Sequence, residues 1–190
     1  MQAVSDALAA VPLLWWLLVL AAVLLFWLVG AVKRLRALRA ELLGLWQRLA
    51  ETLQPRDAAV VPLVTLLRGP MAAEQGALDA FLGAAAQARQ GAAALGARPL
   101  DATLARQWVA AEAQLAGAAT RLLALLEAQP ELRGDEAVAP LLQALKDAQP
   151  KLAYARQRFN EAAEAHDAAI ALFPTTLVAR ALGMVPVGRV

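Results

Sequence analysis

Twenty consecutive residues, Leu13 to Val32 (LLWWLLVLAAVLLFWLVGAV), carry no charge, and the rest of the 190-residue chain has to be placed relative to them. As an α-helix they are about 30 Å long, the thickness of a bilayer's hydrocarbon core. Thirteen of the twenty are Leu, Val or Phe. At the helix centre such residues together favour insertion by about 4–8 kcal/mol. A membrane helix is therefore expected. Trp15, Trp16 and Trp27 fall near its ends, where interfacial aromatics settle, or else mark contact with another membrane helix.

The flanking charges suggest an orientation. Before the stretch the only charged side chain is Asp6; directly after it come Lys33, Arg34, Arg36 and Arg39, with no acid until Glu41. Cations beside a span stay on the cytoplasmic side. The expected layout is a short extracytoplasmic segment (1–12), a transmembrane helix (13–32) and a cytoplasmic domain (33–190). A cleaved signal peptide would need its cations in front of a shorter apolar run and a small-residue cleavage site behind it. Here the basic cluster lies on the other side. Its four cations also suit anionic headgroups, at about 1 kcal/mol each, and this bilayer contact accounts for them better than nucleic acid does.

Beyond the span, strong helix formers dominate, and Ile and Tyr occur once each. The composition implies an all-α fold with enough chain to bury a core. Leu35, Leu38, Leu42, Leu45, Leu49 and Leu53 recur at alternating three and four spacing, so the first helix is expected to leave the membrane unbroken and end at Pro55. A second helix should start between Asp57 and Pro62, kink at Gly69-Pro70 and end at Gly96. Asp101 should cap a third, whose seam runs Leu104, Trp108, Ala111, Leu115, Ala118, Leu122, Leu125. A fourth should run from near Asp135 to Phe173, followed by a short helix. Four long helices with short connections make an antiparallel up-and-down bundle.

The stretch Arg158 to Met184 (RFNEAAEAHDAAIALFPTTLVARALGM) resembles the LemA family. That family's pattern is a Tyr-Asn pair, a second seven residues later, then Phe-Pro, Leu-x-Ala and Gly-Phe. Here the corresponding positions are Phe159-Asn160, His166-Asp167, Phe173-Pro174, Leu177 with Ala179, and Gly183-Met184. Upstream, Leu63-Val64, Leu67-Arg68-Gly69 and Glu74 are similar to another family segment, as is the turn Leu125 to Leu132. The resemblance implies a membrane-anchored antiparallel helical protein of the bacterial inner membrane. It implies no reaction, and it hints at scaffolding or accessory work beside membrane peptidases. Both tyrosines of the paired motif are replaced here.

The residue inventory leaves little room for catalysis. One histidine and no cysteine exclude a zinc site of the usual ligands. The single serine, Ser5, is expected across the membrane from His166, and no glycine-rich phosphate loop occurs. No catalytic, cofactor-binding or metal-binding residue is therefore assigned, and no cofactor, small-molecule substrate or nucleic-acid partner. His166 falls on the seam of the fourth helix, expected near Trp108, as a hydrogen-bonded core residue or as a pH-sensitive one. Glu161, Glu164 and Asp167 suit a solvated face, and Trp46, Phe81, Trp108 and Phe159 the core. The apolar tail after Phe173 has two possible places, along the bilayer or against the end of the bundle. The functional expectation is a non-catalytic, self-associating or partner-binding scaffold; the alternative is an accessory regulator of a membrane protease or envelope-stress pathway.

Overall fold

The computed structural model describes the backbone from Gln2 and the side chains from Trp15 onward, so the expectations for Ser5 and Asp6 lie outside the described residues. Its elements are α1 (Gln2–Leu67), a short 3-10 turn (Ala72–Glu74), α2 (Gln75–Ala97), α3 (Ala102–Glu127), α4 (Pro130–Arg133), α5 (Ala139–Ala171) and α6 (Thr175–Ala181). Among the described residues the fold is all-α, with α1, α2, α3 and α5 as its long helices. Two antiparallel pairs form, α1 with α5 and α2 with α3, and α1 also packs on α2.

The first helix does not end at Pro55. It runs on to Leu67, and no second helix begins between Asp57 and Pro62. The seam explains why: past Leu53 it continues at the same spacing through Arg56, Val60, Leu63 and Leu67, all buried. An interior proline removes one backbone hydrogen bond and costs about 3 kcal/mol in isolation. Pro55 and Pro62 both sit on the exposed face, where water can satisfy the freed carbonyls, while the opposite face stays packed. Pro150, inside α5, is exposed in the same way. The break comes instead at Gly69-Pro70, which forms the turn between α1 and α2 rather than a kink within a helix.

The other boundaries follow local chemistry. The Asp101 side chain accepts from the Thr103 and Leu104 amides at 2.9 and 3.1 Å and caps α3 as expected. Asp135 does not open the fourth long helix; it accepts from the Ala137 and Val138 amides, and α5 starts at Ala139 with Pro140 in its first turn. The α6 end is a Schellman turn. Gly183 (φ 63°) donates to Arg180 O at 3.1 Å and Met184 to Ala179 O at 2.9 Å.

Three groups of buried side chains stack along the bundle. The group farthest from the apolar run centres on Leu63, Leu67, Leu78, Phe81, Leu122 and Leu126. The middle group holds Trp46, Leu53, Leu95, Trp108, Phe159 and Val187. The last joins Leu35 to Ala169, Ile170, Val178 and Ala179. Trp108 therefore shares its layer with Trp46 (ring centroids 5.4 Å apart) and Phe159 (6.3 Å from Trp46), not with His166. A pairing of Trp108 with His166 requires α3 and α5 to end flush. Trp108 lies six residues from the start of α3, but Phe159 lies twelve from the end of α5. α5 thus overhangs α3 by about 9 Å, and α6 and the tail fill that step.

From residue 15 to residue 30 the apolar part of α1 is exposed: Trp16, Leu25 and Phe26 are 73, 61 and 81% accessible. This helix is long and apolar enough to cross a membrane. α3 meets the same test of length and composition. Leu115, Leu122 and Leu126 of that helix are buried in the bundle, while most of its apolar stretch is exposed or only partly covered.

Candidate functional site

Where α1, α3 and α5 meet, the seams carry charge. Arg56 donates to both oxygens of Glu112, Nη1 to Oε2 at 2.7 Å and Nη2 to Oε1 at 2.9 Å, with Arg and Glu only 4 and 5% exposed. Asp57 braces the guanidinium from the next position, accepting from its Nε at 3.1 Å. From α5, Arg156 approaches Glu112 to 3.5 Å and lies over the Trp108 ring at 4.8 Å. Burial acts to lower the Arg56 pKa, but the bonds and charges of Glu112 and Asp57 together outweigh it and hold it above the usual arginine value. For Arg156 burial wins: Glu112 offsets it only in part, Arg56 adds repulsion, and its pKa falls. Trp108 Nε1 and Arg156 Nε and Nη2 are buried without a hydrogen-bond partner. The cation–π contact compensates some of that loss.

The positions of Arg56, Glu112 and Arg156 carried a signal in the sequence. Each lies three or four residues from apolar residues of its own seam: Leu53 and Val60, Trp108 and Leu115, Leu152 and Phe159. Charges on a seam mark a buried pair or an open face, and only the packing separates the two.

The paired-motif residues hold the C-terminal tail. Phe159 and His166 are buried, 0 and 2% exposed, and point into the bundle. Their neighbours Asn160 and Asp167 bind the extended tail as two clamps one heptad apart. Asn160 accepts from the Val190 amide at 2.8 Å and donates to Val190 O at 2.7 Å. Asp167 accepts from the Val187 amide at 2.9 Å and pairs with Arg189 at 3.2 Å. Asp167 is thus not part of a solvated face, unlike Glu161, which stays exposed and pairs with Arg158 at 2.8 Å. His166 Nδ1 lies 3.2 Å from Asp167 Oδ1, so the histidine is a core residue with a polar neighbour.

Gly188 lets the tail lie against α3, since a Cβ there would stand 2.6 Å from Ala102 Cα and from Ala105 Cβ. Of the two places considered for the tail, its last residues take the one against the bundle, with Val187 5% exposed. Ala179 is buried, whereas Phe173 and Leu177 are exposed and Pro174 half-buried. Lys33, Arg34, Arg36 and Arg39 are exposed on α1.

Among the described residues no cluster of three or more His, Cys, Asp or Glu side chains is placed to hold a metal ion. A partly open cavity beside Arg56 and Phe81 has a volume of about 70 Å³ and a mostly apolar lining. Larger hollows of about 580 and 400 Å³ lie between α1 and α5, open to solvent, and share Arg48, Thr52 and Lys151 in their linings. The described residues form an all-α bundle with a charged core, led by an exposed apolar helix long enough to cross a membrane. A model of the LemA family matches residues 45–188, and the chain belongs to that family. No curated protein matches it.

Proposed function

We propose that this protein is a single-pass, membrane-anchored scaffold of the bacterial inner membrane, with residues 1–12 outside, 13–32 across the bilayer and 33–190 in the cytoplasm, where the bundle binds further copies of itself or a membrane-protein partner. The continuity of α1 carries this reading. One helix leaves the apolar run and becomes the central member of the bundle, so the domain is held at a set distance and angle from the bilayer. The lack of a nucleophile, base and stabiliser set supports binding over catalysis. The basic residues Lys33, Arg34, Arg36 and Arg39 support the orientation.

Two measurements test it. A reporter fused after Val190 behaves as cytoplasmic; an alkaline phosphatase active at that point overturns the orientation. Affinity purification of the tagged full chain in mild detergent recovers untagged copies of the same chain or a stoichiometric membrane protein. Recovery of the tagged monomer alone contradicts the scaffold reading. A membrane peptidase recovered in fixed ratio would favour the second reading, an accessory regulator of proteolysis, to which only the family resemblance points.

A further inference from the structure

We propose that the corner between α5 and α6, formed by Leu172, Phe173 and Leu177, is a second membrane contact that docks into the interfacial layer of the bilayer holding α1. The corner is apolar and uncovered: Leu172, Phe173 and Leu177 are 59, 79 and 57% exposed. Phenylalanine is seldom left this open on a soluble domain unless something covers it, and here three large apolar residues share one turn of chain. What covers them follows from their level along α1. Leu172 and Thr175 line a surface hollow together with Trp27, Gly30, Ala31 and Arg34. Those four residues are the end of the apolar run and the start of the basic cluster, the part of α1 that passes from the edge of the hydrocarbon core into the headgroups when the run fills that core.

The depth is fixed by packing. Leu35 is fully buried against Ala169, Ile170, Val178 and Ala179, with Ala31 and Val32 beside them. α1 is helical without a break through Gly30, so the corner cannot swing clear of the bilayer while that contact holds. Charge agrees with a lipid surface. From Ala168 to Val190 the only charged side chains are Arg180 and Arg189, and the neighbouring α1 turns supply Lys33, Arg34 and Arg36. An anionic headgroup layer meets Arg180 and those α1 cations there, while Arg189 is paired with Asp167 farther along α5. Together with α1 the corner gives the domain two points of attachment, which resists tilting and rotation about the span.

The inference rests on the transmembrane reading of residues 13–32, and its test is arranged so that the two fail separately. The chain has no cysteine, so single-cysteine variants can each be labelled at one site. Phe173→Cys, Phe26→Cys and Arg133→Cys are each labelled with a nitrobenzoxadiazole probe in the full chain. Each is reconstituted into vesicles of phosphatidylcholine and phosphatidylglycerol carrying nitroxide on a shallow acyl carbon. Position 26 is 81% exposed within the apolar run, and Arg133 lies on the exposed distal turn. The expected result is quenching at 26 and at 173, each at least threefold stronger than at 133. Quenching at 26 with 173 no different from 133 overturns the corner contact and leaves the span intact. A 173 probe that is blue-shifted but unquenched also overturns it, because protein, such as a second copy, then covers the corner. Absence of quenching at 26 removes the span and the inference with it.

Discussion

Glu112 is the residue on which the middle of the bundle most depends, because it alone faces both Arg56 and Arg156 from α3. Removing one partner of a buried ion pair costs about 3–5 kcal/mol, since the remaining charge stays desolvated. Glu112→Ala is expected to lower stability by that amount in denaturant unfolding, whereas the triple change Arg56→Met, Glu112→Leu, Arg156→Met costs less than the single one. Equal loss in both would mean that volume, not charge, matters there. Gly188→Ala is expected to release the tail, because the new Cβ meets α3 backbone at 2.6 Å. Faster amide exchange at Val187 and Val190 with unchanged exchange in α3 would report it, and unchanged tail protection would contradict it. The Asp101 carboxyl is held below the usual carboxylate range by accepting the Leu104 and Thr103 amides. A group with a depressed folded pKa stabilises above its unfolded pKa and loses that contribution as pH falls through the folded one. Asp101→Ala should therefore lower the unfolding midpoint at neutral pH, with a difference from wild type that shrinks below about pH 4.

Among the elements, α1 shows best what the sequence made legible and what it did not. The Leu35–Leu53 seam and the cap at Asp101 are local signals, and each sits where its periodicity or chemistry put it; His166 is buried as its seam position implied but away from Trp108, and Asp167 holds the tail rather than facing solvent. Pro55 misled because a proline reads as a stop when only its own backbone is considered. The decision lay on the opposite face, where Arg56, Val60 and Leu63 pack against partners that the linear sequence does not display. Arg56 hid that continuity further, since an arginine on a seam looks like an interruption until Glu112 is brought to it. The Asn160 and Asp167 clamps were recognisable as motif positions, but what they hold is a tail 30 and 20 residues later in the chain. Pro55→Ala follows from this geometry. It restores an amide donor to the Glu51 carbonyl on an exposed face and should raise stability, with interior proline costing up to about 3 kcal/mol. A loss of stability would imply that Pro55 shapes a bend the packing needs.

For the molecule as a whole, continuity of α1 removes a conflict that a turn at Pro55 creates. A first helix ending at Leu53 would extend only about 30 Å beyond Val32, and a long second helix running back beside it would enter the lipid. With α1 reaching Leu67, its part beyond Val32 is about 50 Å long, and the α2 return of 23 residues, about 35 Å, stops short of the membrane. On the transmembrane reading proposed above, the α2–α3 hairpin then stands clear of the headgroups, and the α5–α6 end comes down beside α1. Spin labels on Arg36→Cys and Leu66→Cys, both exposed on α1 of the otherwise cysteine-free chain, test this by pulsed dipolar distance measurement in the reconstituted full chain. An unbroken helix places the two backbone sites about 45 Å apart. A chain that turns at Pro55 folds position 66 back and brings them within about 20 Å; that shorter distance would contradict the architecture described above.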